Sequence, residues 1–73
     1  MQNTKYTIDK IESYQNDFEA HDKFLNHLNN DLTKTNNKNE FLKTLKIDIK
    51  NNQEINNDIK NVCINIINVK LEE

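Results

Sequence analysis

The chain has 73 residues and a net charge of −2, and it contains no glycine, proline, tryptophan or arginine. That length allows one small domain, whose core supplies only roughly 3–5 kcal/mol of net stability, and the lone Cys63 excludes an internal disulfide. Interspersed lysines and acids without a basic stripe disfavour nucleic-acid binding, no apolar run is long enough to span a bilayer, and phosphate-cradling glycine loops are ruled out.

Asparagine, lysine and isoleucine dominate, with one alanine, Ala20. Their codons are built almost wholly from A and T, which implies an A+T-rich genome. Asn-rich tracts such as "TNNKN" and "NNQEINND" therefore carry less weight, and the second, which keeps helical spacing through Ile55 and Ile59, is read as a polar helix face. Without Gly and Pro, tight positive-φ turns and helix stops lose their usual residues, so long helices are expected. The opening "MQNTKYTIDK" leads into no apolar run, so no signal peptide is read and a cytoplasmic location is expected.

The first predicted element is a helix over about 7–34. Ile11, Tyr14, Phe18, His21, Leu25, Leu28 and Leu32 follow one another at alternating spacings of 3 and 4, the a/d stripe of a coiled-coil seam. Thr7 is placed as the N-cap, with Tyr6 and Ile11 as a hydrophobic staple. A linker over about 33–39 follows. Inside it Asn37 stands three residues before Glu40, a capping-box-like start. The second helix is expected over about 38–70, with the stripe Phe41, Leu45, Asp48, Asn52, Ile55, Ile59, Val62, Ile66 and Val69. A competing reading pairs two short strands, "LKIDIK" and the C-terminal residues 62–71, since Ile and Val favour strands. Two strands alone make a marginal sheet, and the helical register runs unbroken through Val69, so helix is preferred.

These elements predict an all-α domain over 1–73. It is an antiparallel two-helix hairpin with a coiled-coil-like seam, completed by dimerisation or target binding; the alternative is an α+β fold with a short C-terminal strand pair. Folding at Asn36–Asn37 sets Leu28 opposite Leu45 and Phe18 opposite Ile55. It also sets His21 opposite Asn52, with Asp48 a turn away, as a polar layer that would penalise slipped registers. Phe24, Leu42, Ile49, Cys63 and Ile67 fall beside the stripes. Ile66, Ile67, Val69 and Leu71 project past the start of the first helix, and with Phe24 they form the expected protein-interaction surface.

Chemistry is sparse. His21 and His27 differ by about 120° around a helix and do not converge on a metal. Asp17–His21 and His27–Asp31 are i,i+4 pairs, read as surface contacts or orienting hydrogen bonds. Cys63 sits among Val62, Ile64 and Ile66, a setting that makes a thiol inert. Asp9, Glu12, Asp17 and Glu19 read as solvated carboxylates. Tyr6, Tyr14, Phe18, Phe24 and Phe41 read mostly as core. No catalytic residue, metal, cofactor, small-molecule substrate or membrane is expected. The expected function is a non-catalytic protein-binding module, such as a small inhibitor or regulator encoded by a phage or mobile element. The alternative is a self-assembling homodimeric coiled-coil subunit; a nucleic-acid-binding regulator ranks below both.

Overall fold

A computed structural model describes residues 4–73; residues 1–3 of the predicted domain lie outside the described residues. The described chain is all-helical, with no strand, and has four helices: α1 (Lys5–Tyr14), α2 (Ala20–Leu32), α3 (Lys38–Asn51) and α4 (Asn57–Glu72). Both helices expected from the sequence are thus interrupted, at 15–19 and at 52–56. The strand-pair alternative is not adopted, because residues 45–49 belong to α3 and 62–71 to α4.

The interruptions come from Asn and Asp side chains that offer the backbone another hydrogen-bond partner. In the first, Asp17 Oδ1 accepts from the Glu19 N–H at 2.8 Å. Two short turns flank it, Asp17 N–H to Tyr14 O and Ala20 N–H to Asp17 O, both at 2.9 Å. In the second, Asn52 adopts an extended backbone at the end of α3. Its Oδ1 accepts from the Glu54 N–H at 2.7 Å and the Ile55 N–H at 2.9 Å. Asn56 then caps α4 by accepting from the Ile59 N–H at 2.9 Å. No described residue has a positive φ, so this glycine-free chain makes its turns with Asx hydrogen bonds instead.

The middle connection behaves as read. Asn37 Oδ1 accepts from the Glu40 N–H at 3.0 Å, and its amide donates back to the Glu40 carboxylate at 3.3 Å. At the front, α1 begins earlier than expected. Thr4 occupies the cap position without a side-chain cap bond, while Thr7 lies buried inside the helix. Tyr6 is exposed and tilts against the His27 ring, centroids 5.5 Å apart, instead of stapling onto Ile11.

Polar bridges define the arrangement. Thr7 Oγ1 donates to Asp31 at 2.6 Å, which sets the start of α1 beside the end of α2. Lys46 Nζ donates to Asn68 at 2.7 Å, and Lys60 Nζ donates to the Lys50 carbonyl at 3.3 Å, so α3 and α4 are antiparallel. Thr4 bonds Asp48, and Asn52 donates to Glu12 at 2.9 Å, so α1 and α3 run in the same sense. Helices α2 and α4 also pack side by side. The result is two successive helical hairpins stacked like with like, as neighbouring units stack in helical repeats.

Each helix now has two neighbours and buries a wider arc than a two-stranded seam requires. Phe24, Leu42, Ile49, Cys63 and Ile67, expected beside the stripes, are all core. They pack with Ile8, Ile11, Leu28, Phe41, Leu45, Ile55 and Ile66. Phe18, expected in the seam, is 97% exposed on the first turn. The chain therefore buries by itself Phe24, Ile66 and Ile67 of the expected interaction surface, while Val69 stays exposed and Leu71 is half-buried. No described helix is long and apolar enough to cross a membrane.

Candidate protein-docking groove

The groove forms where α2 and α4 lie side by side. Helix α2 sends Phe24 and Leu28 into the core; α4 sends Cys63, Ile66 and Ile67. The next residues around each helix, Leu25 and Val62, are only half-buried. Val69 is 57% exposed. Between them runs a groove of about 480 Å³, with Leu25, Val62, Ile66 and Val69 as apolar walls and His21, Asn65, Lys70 and Glu73 as polar rim. Both sequence stripes contribute to it, but as a surface and not as a buried seam.

The rim is weakly self-satisfied. His21 Nδ1 stands 3.4 Å from Asp22, and Lys70 Nζ stands 4.0 Å from Glu73. Pairs this long, each with at least one exposed partner, contribute little to stability, so these charges can be re-paired by an incoming chain at small cost. A smaller mixed-polarity depression of about 360 Å³ continues past Lys70 and Glu73, bounded by Asn29, Leu32, Thr33, Lys38, Asn39 and Leu42.

The residues singled out from the sequence separate into three groups. Ile66 and Val69 line the groove, and Leu71 is half-buried against the core. Phe24 and Ile67 are fully buried and offer no surface to a partner. The polar layer of His21, Asn52 and Asp48 is not assembled. His21 sits at the groove rim, while Asp48 and Asn52 serve the α1–α3 contact. The cause is the two interruptions, which place α1 and not α2 against this face of α3.

A different polar cluster lies inside. His27 Nε2 is 3.3 Å from Asp31 Oδ2, with only 16% of each side chain exposed. The approach is close enough for an ion pair but too poorly directed for a hydrogen bond. Thr7 supplies the well-formed bond to the same carboxylate. The His27–Asp31 spacing was visible in the sequence; its burial was not, because it depends on α1 crossing over it. Asp17 pairs with Lys23 and not with His21, and that contact, followed by the Glu19 backbone, holds its carboxyl below the usual range.

Nucleophiles are quiet. Burial pushes the Cys63 thiol up to about 12, so it is protonated at neutral pH. The Tyr14 hydroxyl is pushed up, first by burial and then by Cys63 and Asp31, and it makes no hydrogen bond among the described residues. Among the described residues, no three His, Cys, Asp or Glu side chains gather into a metal-holding group.

Sequence reasoning missed one feature entirely. Gln15 clips the two interhelical turns together: its amide donates to the Glu54 carbonyl at 2.8 Å and accepts from the Asn56 N–H at 2.7 Å. No local pattern marks a glutamine for such a role. Comparison with protein-family models, curated proteins and solved structures found nothing that matches this chain.

Proposed function

We propose that this protein is a non-catalytic binding module that docks a helix of a target protein in the groove between α2 and α4. The observation that carries the reading is the groove itself, an open apolar channel with a charged rim on a chain whose other large side chains mostly fill its own core. An amphipathic helix would lay its apolar face along Leu25, Val62 and Val69 and meet Lys70, Glu73 and Asn65 with its flanks. Action by occupying a target's surface suits a small inhibitor or regulator of the kind phages and mobile elements encode. The charge balance and the lack of arginine favour protein over nucleic acid as the target.

The test is a capture experiment from the native host with three baits: wild type, Val69→Asp in the groove, and Ile47→Asp on an exposed face outside it. A target kept by wild type and Ile47→Asp but lost by Val69→Asp supports the reading. A target kept equally by all three rejects the groove.

A further inference from the structure

We propose that the groove also takes a second copy of this chain, with Phe18 of each copy seated between α2 and α4 of the other. The inference rests on the groove being a docking surface, but not on any heterologous target.

The molecule carries both halves of the contact. Phe18 is 97% exposed. Isolated exposed apolar residues are ordinary on protein surfaces, and Tyr6 and Ile47 are of that kind. Phe18 differs in how it is held. Its turn is braced by Asp17 N–H to Tyr14 O, by Ala20 N–H to Asp17 O and by the Glu19 N–H on the Asp17 carboxylate. The Asp17–Lys23 pair ties the turn to α2, and Gln15 ties it to the second turn. The ring is thus presented from an ordered backbone, which lowers the ordering cost of association.

The receiving site matches it. A groove of about 480 Å³ with Leu25, Val62, Ile66 and Val69 as walls has room for a phenyl ring. Aromatic anchors that fill such pockets dominate interface energetics. Charge is complementary as well. Glu19 flanks Phe18, and Lys70 stands at the rim with its nearest acid, Glu73, 4.0 Å away. Phe18 and the groove residue Leu25 belong to one turn-and-helix segment, so a two-fold axis beside α2 lets each copy give one ring and receive one. That exchange closes as an isologous dimer.

Sedimentation equilibrium of the full chain, from about 10 μM to about 1 mM, brackets the affinity expected for a small two-anchor contact. Wild type is expected to show a reversible monomer–dimer equilibrium. Phe18→Ala and Val69→Asp are each expected to weaken it about tenfold or more, with helical circular dichroism unchanged. An equimolar mixture of Phe18→Asp and Val69→Asp is expected to dimerise better than either alone, since it restores one intact ring-and-groove pair. A wild type that stays monomeric throughout overturns the proposal, as does a Phe18→Ala dimer as tight as wild type, or assembly running on past the dimer. A monomeric wild type whose target capture still fails in Val69→Asp would overturn only self-docking and leave the target reading standing.

Discussion

Two phenylalanines six residues apart give the sharpest test of the packing. Phe24 is 0% exposed in the core, and Phe18 is 97% exposed on the turn before it. Replacing Phe24 by alanine removes a fully buried ring and leaves a void, at a cost of about 3–5 kcal/mol. At about 0.05–0.15 kcal/mol per residue, a chain of 73 residues holds only about 4–11 kcal/mol in total. Phe24→Ala is therefore expected to remove a large share of the stability, and Phe24→Leu serves as the milder variant that still reports a loss. Phe18→Ala removes almost nothing from the monomer's core and is expected to stay within about 0.5 kcal/mol of wild type. Urea unfolding followed by circular dichroism, at micromolar protein to keep association out of the signal, measures all three. A continuous two-helix seam requires the opposite order, with Phe18 facing Ile55 inside. If Phe18→Ala costs as much as Phe24→Ala, the four-helix packing is refuted.

Further predictions concern the clip, the orphan hydroxyl and the thiol. Gln15→Ala loses two hydrogen bonds to turn backbone and is expected to cost about 1–2 kcal/mol by the same urea assay; an unchanged midpoint would remove the clip from the account. Tyr14→Phe is expected to be neutral or slightly stabilising, because the hydroxyl is desolvated without a partner among the described residues; a loss above about 1 kcal/mol would show a missed hydrogen bond. Cys63 ionises more readily in the unfolded chain, near its ordinary value of 9.0, than in the folded one, where it is pushed up to about 12. Its contribution to stability is therefore complete below about pH 9 and is lost as pH rises toward 12. Wild type is expected to lose stability across that window more steeply than Cys63→Ala, and parallel pH profiles would contradict the burial of the thiol.

The all-α class was legible because a chain without Gly or Pro, with apolar residues at 3 and 4 spacing, has few other options. The start of α3 was legible too, since Asn37 and Glu40 form a local signal. The two interruptions were not. Their stop signals are Asp17 and Asn52, and the same residue types sit harmlessly on helix faces, as Asn26, Asn29, Asn61 and Asn65 do. In so Asn-rich a chain, an Asx turn cannot be told from a polar face by composition. Missing the turns also misplaced the core. A continuous helix points Leu25, Val62 and Val69 at one partner; four shorter helices roll so that Phe24, Cys63 and Ile67 turn inward instead. The stripe was real as a periodicity, yet His21, Leu25, Val62, Ile66 and Val69 of it line a groove instead of a seam.

The placement of α2 beside α4 underlies both the groove and everything proposed for it. Methyl–methyl nuclear Overhauser effects in a sample labelled at Leu, Ile and Val test it most directly. The account predicts cross-peaks from the Leu25 methyls to those of Val62 or Val69, which share the groove. Leu25 methyls that instead contact only the middle of α3, near Asp48, with none to α4, would contradict it.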